Sequence, residues 1–233
     1  MNVVITGATK GIGKAIAQTF AGGGNNIIAV ARTAKDLNEM EADFMARYPG
    51  IAFHGKALDI ANESELNHFA TWLKAAQIKP DILINNAGQF IGGSTYNEAA
   101  GVLQKMMEVN LYGAYNLTRL LLPAMMERRS GHIFNICSIT SLQGVDKVGS
   151  YGISKFALLG FSKNLREEMK PFGIKVTAVC PGATISASWE GTGIDPERIM
   201  EEQDIATMIY AASRLSPKAV VEDIIMRPQL GDL

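Results

Sequence analysis

Val3-Val4-Ile5-Thr6-Gly7-Ala8-Thr9-Lys10-Gly11-Ile12-Gly13 stands almost at the start of the chain, and its reading governs the rest. Val3 to Thr6 are apolar or β-branched without interruption, as a fully buried strand requires. Gly7 lets the chain turn sharply out of that strand. Gly11 and Gly13 remove side chains where a ligand, and then the sheet, must come close. A helix-period pattern follows near 13–22. Strand, glycine turn and helix in this order present unpaired N–H groups and a partial positive charge at the turn. That suits a diphosphate, so a dinucleotide is expected there; a tight turn without ligand is the plainer alternative.

Short runs rich in Val and Ile recur at Val3–Thr6, Ile27–Ala31, Ile51–Leu58, Ile82–Asn85, His132–Cys137, Ile174–Cys180 and Asp223–Met226. Amphipathic stretches lie between them, near 13–22, 34–47, 63–77, 99–127, 151–170 and 201–214. Such alternation predicts an α/β fold, a three-layer doubly wound parallel sheet of about seven strands with helices on both faces. Strands that are apolar nearly throughout agree, because a sheet of this kind is covered on both sides. Asn62-Glu63-Ser64-Glu65 reads as a helix start with a capping Asn, and Thr33-Ala34-Lys35-Asp36 as the same device with Asp in the reciprocal place. Gly22-Gly23-Gly24 is read as the source of positive φ angles after the first helix. With no repeat, low-complexity tract or linker, residues 1–233 read as one domain with a substrate loop near 183–200.

The 233 residues are 47% apolar and carry 22 basic against 23 acidic side chains, an ordinary globular composition. A net charge of −1 without a Lys/Arg cluster gives no field for nucleic acid. No apolar run approaches the roughly eighteen residues of a membrane span. Met1-Asn2-Val3 leads directly into a strand with no basic region or cleavage site, so a cytoplasmic protein is expected. Cys137 and Cys180 lie in strand-like runs and are expected to be buried free thiols rather than a disulfide. His54, His68 and His132 are far apart and lack ligand spacing, so no metal site is expected.

The choice of dinucleotide is made near the end of the second strand. A carboxylate there accepts from the adenosine ribose and repels a 2′-phosphate. Here the chain reads Ala29-Val30-Ala31-Arg32-Thr33, with no acid until Asp36. Arg32 offers a planar fork of donors to a phosphate, and Lys10 in the glycine turn could add a second cation. NADP(H) is therefore expected, with NAD(H) the less favoured alternative; both cations could also be plain solvated charges.

Farther on come Asn85-Asn86-Ala87-Gly88 after the fourth strand and Asn110 within a helical stretch. Ser138 ends the fifth strand, Tyr151-Gly152-Ile153-Ser154-Lys155 opens the next helix, and Pro181-Gly182 follows the sixth strand. With these motifs in this order the chain resembles the short-chain dehydrogenase/reductase family, a Rossmann-fold family, over essentially its whole length. The residues also make chemical sense alone. Tyr151 and Lys155, four apart, project from one face of a helix. A free phenol, with a pKa of about 10, exchanges protons poorly at neutral pH, and a neighbouring ammonium favours its ionised form. Tyr151 would give a proton to a carbonyl oxygen as hydride arrives at carbon, and Ser138 would hydrogen-bond that oxygen.

The resemblance implies that Lys155 also holds the nicotinamide ribose and that Asn110 helps seat a water relaying protons to Lys155. It makes Asp59, after the third strand, an adenine contact. The expected catalytic set is thus Asn110, Ser138, Tyr151 and Lys155. The cofactor is expected along Gly7, Thr9, Lys10, Gly11, Ile12, Gly13, Arg32, Asp59, Asn86, Ala87, Gly88, Tyr151, Lys155, Pro181, Gly182 and Thr184. Thr184 could reach the carboxamide or the phosphates, or could cap a following helix.

Candidate walls of a substrate pocket are Gln89 and Phe90, the segment Gln143–Val148, and the stretch Ile185–Ile194, where Trp189 either faces ligand or simply packs. The chain resembles most the bacterial reductases of 3-oxoacyl thioesters and general carbonyl reductases. Its tail, Ile224-Ile225-Met226-Arg227-Pro228-Gln229-Leu230, lacks the Asp-Gly-Gly common after the last strand of acyl-carrier-protein reductases, and no basic patch would dock an acidic carrier. A small-molecule ketone or aldehyde is therefore preferred to a 3-oxoacyl thioester; sugar, steroid and pteridine substrates stay open. A non-catalytic protein reporting the NADPH/NADP ratio is a further alternative, which loss of Ser138, Tyr151 or Lys155 would have favoured. Phe156-Ala157-Leu158-Leu159-Gly160-Phe161 is apolar on nearly every side of its helix, which predicts a covering partner and hence a homodimer or homotetramer.

Overall fold

The computed structural model describes residues 1–185 and 193–232. Residues 186–192, with Trp189, lie outside them. In chain order the elements are β1 (Asn2–Thr6), α1 (Gly11–Gly22), β2 (Asn26–Ala31), α2 (Ala34–Arg47), β3 (Phe53–Ala57), α3 (Glu63–Ala75) and β4 (Ile82–Asn85). They continue with α4 (Val102–Met107), α5 (Gly113–Arg128), β5 (Gly131–Ile136), α6 (Gly149–Met169), β6 (Ile174–Pro181), α7 (Glu202–Ser213) and β7 (Asp223–Met226). Among the described residues the sheet has seven parallel strands in the order β3-β2-β1-β4-β5-β6-β7. This is the doubly wound parallel architecture expected from the alternating pattern. The order reverses between β1 and β4, and open α/β sheets bind ligands at such a switch point, outside the carboxyl ends of the strands.

The strands are apolar throughout because both faces are covered. Val3, Ile5, Ile27, Ala29, Ile82 and Ile84 point to one side, where they meet Ile16 and Phe20 of α1, Phe44 of α2 and Ile205 and Ile209 of α7. Val4, Ile28, Val30, Leu83, Ile133 and Val176 point to the other, against Leu66 and Phe69 of α3, Leu117 and Leu121 of α5 and Leu165 of α6. Adjacent residues in one strand thus serve two different cores. Each such large side chain, once buried, contributes about 1.5–3 kcal/mol.

Local signals met different fates. Asn62 caps α3 through its Oδ1, which accepts from the N–H groups of Ser64 (3.1 Å) and Glu65 (3.3 Å). Glu65 answers by accepting from Asn62 Nδ2 (2.8 Å) and from the N–H of Asp59 (2.7 Å). A cap of this kind is worth about 1 kcal/mol. Thr33 does not behave in the same way: it makes no side-chain cap bond, and Asp36 turns instead toward Lys10, 3.5 Å away. Of Gly22, Gly23 and Gly24 only Gly24 has a positive φ (74°). Gly23 is needed for a close approach, since a Cβ there would lie 2.3 Å from the Tyr210 hydroxyl of α7.

The single helix expected over 99–127 is broken. Gly101, with φ 85°, precedes the short α4, and a π-helical turn, Glu108–Tyr112, separates α4 from α5. The wider turn carries Asn110, and such insertions often accompany functional sites. The strand expected from Ile51 begins at Phe53.

Candidate active site

Strand order distributes the site along one edge of the sheet. Arg32 follows β2 and Asp59 follows β3 at one end. The glycine turn after β1 and Asn86–Gly88 after β4 stand in the middle, and Ser138 after β5 with Pro181-Gly182 at the end of β6 completes the line. Together they border a cleft of about 1170 Å³. A single ligand pocket commonly has about 300–1,000 Å³, so this cleft is a large one. All the residues expected to bind cofactor or act in catalysis line it, except Gly13 and Asn110, which stand behind the lining.

The glycine turn fits a diphosphate on structural grounds. Gly7 (φ 65°) and Gly11 (φ 51°) both take the left-handed conformation that other residues adopt only with strain. Nothing lies within 4 Å of where a Gly11 Cβ would be, and Lys10, capping α1, makes no side-chain cap bond. The first N–H groups of α1 therefore open onto the cleft without a side-chain partner. Gly13 has the packing task its place in the motif suggested, although it is also among the expected cofactor contacts and does not line the cleft. A Cβ there would lie 2.2 Å from the Gly7 carbonyl oxygen and 2.5 Å from Asn86 Nδ2, so Gly13 permits packing and does not face ligand.

Asn86 braces the same turn from eighty residues away: its Nδ2 donates to the carbonyls of Thr6 (3.0 Å) and Gly7 (3.1 Å). Thr6 Oγ1 in turn accepts from the N–H groups of Asn86 and Ala87, 3.0 Å each. At the β2 end of the cleft Arg32, Lys10 and Asp36 share the wall. Asp36 lay beyond the position where an acid would select NAD(H), yet folding brings it within 3.5 Å of Lys10. The two offset each other, leaving Arg32 as the net positive group.

At the other end Ser138 is pinned by a reciprocal cap. Its Oγ accepts from the N–H of Thr140 (3.2 Å), and its own N–H donates to Ser141 Oγ (3.1 Å). The Ser138 hydroxyl proton stays free to donate elsewhere. Tyr151 sits in the first turn of α6, and Lys155 stands one turn later with its Nζ 5.8 Å from the Tyr151 ring centre. Lys155 is only 5% exposed, and its Nζ donates to the Ile136 carbonyl (2.7 Å), which fixes the ammonium beside the strand end.

Asn110 joins the segment after β4 to α6. Its Oδ1 accepts from the Gln89 N–H (2.7 Å), and its Nδ2 donates to the Gln89 carbonyl (3.0 Å) and to Ser154 Oγ (2.9 Å). Ser154 Oγ donates onward to the Tyr151 carbonyl (2.7 Å). Gly88 leaves the space between these groups, since a Cβ there would be 3.3 Å from Asn110 Oδ1 and 3.5 Å from Lys155 Nζ.

The helix that Thr184 could cap would begin in residues 186–192, outside the described residues. Thr184 Oγ1 donates to the Gly182 carbonyl (3.0 Å) and holds the Pro181-Gly182 turn, while the Gly182 N–H donates to Met226 (2.8 Å). Cys137 and Cys180 are free and buried, as expected. The hydrogen bond with Cys180, reinforced by burial, holds the Cys137 thiol well above the usual range and therefore neutral.

Glu98 was not foreseen. Its carboxylate accepts from the Ser150 N–H (2.9 Å) and from the Ser150 hydroxyl, one residue before Tyr151. Backbone bonds from Gly93 to Lys147 and from Gly149 to Gly93, 2.9 Å each, run alongside. Thr140 and Asp232 also border the cleft without a sequence signal, Asp232 paired with Arg227. An acid in a loop carries no periodicity; only the fold reveals its partner.

Residues 1–195 match the family described as short chain dehydrogenase. A dehydrogenase/reductase SDR family protein 7-like from Drosophila melanogaster is 36% identical over 247 residues, covering 95% of this chain and 72% of its own length. Sepiapterin reductase from Chlorobaculum tepidum is 30% identical over 239 residues, covering 99% of this chain and 97% of its own. L-sorbose reductase from Gluconobacter frateurii, solved with NADPH and L-sorbose, is similar at a TM-score of 0.89 and 26% identity, over 97% of this chain and 95% of that one.

Proposed function

The chain belongs to the short-chain dehydrogenase family of oxidoreductases, and from that premise we propose that it is an NADP(H)-dependent enzyme interconverting a small-molecule carbonyl and its alcohol, with Tyr151 as the proton-transfer residue. The observation that carries this reading is the meeting of Ser138, Tyr151 and Lys155 at one end of a cleft whose middle is the glycine turn. NADP(H) is favoured by Arg32 at the adenosine end and by the likeness to a reductase solved with NADPH.

The bound nicotinamide supplies hydride to the carbonyl carbon. As the C=O pair shifts to oxygen, Tyr151 gives that oxygen its proton and keeps the negative charge on the phenolate. Ser138 Oγ, already accepting from Thr140, donates its hydroxyl proton to the same oxygen and stabilises the charge developing there. Lys155, held on the Ile136 carbonyl, places its positive charge by the phenolate and has two further N–H groups for the ribose hydroxyls. Asn110 steadies Gln89 and the first turns of α6, and keeps one Oδ1 lone pair for a relay water serving Lys155. The outer face of the helices bears Tyr112, Tyr115, Ile153 and Phe156 half-exposed, which supports self-association through this face.

Tyr151→Phe tests the assignment. NADPH consumption with a carbonyl substrate should fall by about three orders of magnitude or more, while NADPH affinity stays within about twofold. Undiminished turnover would refute the role of Tyr151.

A further inference from the structure

Tyr151 is approached between two walls. Gln89 and Phe90 come from the segment after β4, and Gln143, Val145 and Val148 from the segment before α6. Phe90 is 51% exposed and Val145 40% exposed, although both border a concave cleft. Apolar side chains left open inside a cleft form a contact surface for an apolar ligand. The backbone bonds at Gly93 and the grip of Glu98 on Ser150 tie the two walls together, so their spacing is set before anything binds. The Phe90 ring stands 5.0 Å from the Tyr151 ring at 81°, so a flat group entering beside Phe90 arrives against the phenol.

Charge narrows the class. Among the described residues lining the cleft the cations are Lys10 and Arg32, at the far end, and Lys155, whose Nζ is buried on the Ile136 carbonyl. The described side chains that line the two walls beside Tyr151 are uncharged, while Asp146 and Lys147 of the same segment stand outside the lining. Asp232, beside Pro181-Gly182, is paired with Arg227 and adds no net charge. A carboxylate or phosphate pressed against Phe90 and Val145 would give up part of its hydration with no cation in the lining of these walls to replace it, which is unfavourable.

We infer, resting on the reductase reading above, that the substrate is an uncharged carbonyl compound with an aryl or similarly flat apolar group on the carbonyl, and that Phe90 determines this specificity. Matched probes test it. With NADPH, methyl benzoylformate should exceed benzoylformate in kcat/KM by about 100-fold or more. Since the ester is also the better electrophile, the same preference must appear in binding of the corresponding alcohols, which do not react with NADPH. Phe90→Ala should lower kcat/KM for methyl benzoylformate by about tenfold, yet change that for methyl pyruvate, which lacks the ring, by no more than about twofold. Unchanged NADPH affinity certifies that the variant is folded. Equal turnover of acid and ester, or an equal loss with both esters in Phe90→Ala, overturns the inference. Calorimetric binding of methyl mandelate and mandelate to the NADP-loaded protein separates the two readings. Ester-selective, Phe90-dependent binding without turnover of any ketone supports this pocket and sinks the reductase reading, whereas binding of neither alcohol together with no turnover overturns the pocket.

Discussion

Arg32 and Asp36 leave the end of β2 and the start of α2 one helical turn apart, and both reach the cleft. Their opposite charges pull the choice of dinucleotide in opposite directions. Asp36 faces Lys10, so its repulsion of a phosphate is largely offset, whereas Arg32 keeps its planar fork of donors. The balance falls on the side of a 2′-phosphate. Arg32→Ala should raise KM for NADPH by about tenfold or more and KM for NADH by less than about threefold, as losing a charge-assisted contact to phosphate requires. Equal losses for the two cofactors in steady-state kinetics would remove the phosphate role from Arg32.

Between neighbouring strands β5 and β6, His132 lies opposite Lys175 and stacks on Phe134. Its Nε2 is 2.8 Å from Thr177 Oγ1, which itself donates to the Val221 carbonyl, so Nε2 is the donor and the ring is neutral. Burial, aided by the positive Lys175, lowers its pKa from 6.5 to about 3. The unfolded chain takes up a proton near pH 6.5 that the folded chain refuses until about pH 3. This contribution is therefore complete above pH 6.5 and is lost as pH falls through that window, about 2 kcal/mol by about pH 5. In urea unfolding, His132→Gln should lose less stability than the parent between about pH 7 and about pH 5; parallel curves would exclude His132 as the source.

Most elements were legible because each strand is apolar through its length and each helix keeps its period; the ranges of α2, β4 and β7 follow from those patterns alone. The π turn at Glu108–Tyr112 was not, because one inserted residue leaves the apolar pattern on either side intact. Ser138 and Tyr151 could be singled out because one sits at a strand end and the other in a first helical turn, and Lys155 by its four-residue spacing from Tyr151. Glu98, whose partner is 52 residues away, and Asp232 could not, since nothing in their neighbourhood signals contact.

At the scale of the molecule, one sheet holds two cores apart and leaves a third apolar surface on the outside of α5 and α6. Tyr115 of α5 meets Phe161 of α6 at 5.3 Å, so the two helices present a continuous face that includes Ile153 and Phe156. Mass measured in solution at micromolar concentration should be that of a dimer or tetramer, and Phe156→Glu with Tyr115→Glu should lower it; a parent that is a clean monomer would end the proposal. Asn86 has a consequence for the making of the protein. The hydrogen bonds that fix the glycine turn at Thr6 and Gly7 come from a residue translated about eighty positions later, just after the strand that also closes the open edge of β1. A nascent chain therefore carries the turn for some eighty residues before the side chain that braces it has been made. The turn can take its final form only after β4 has cleared the ribosome.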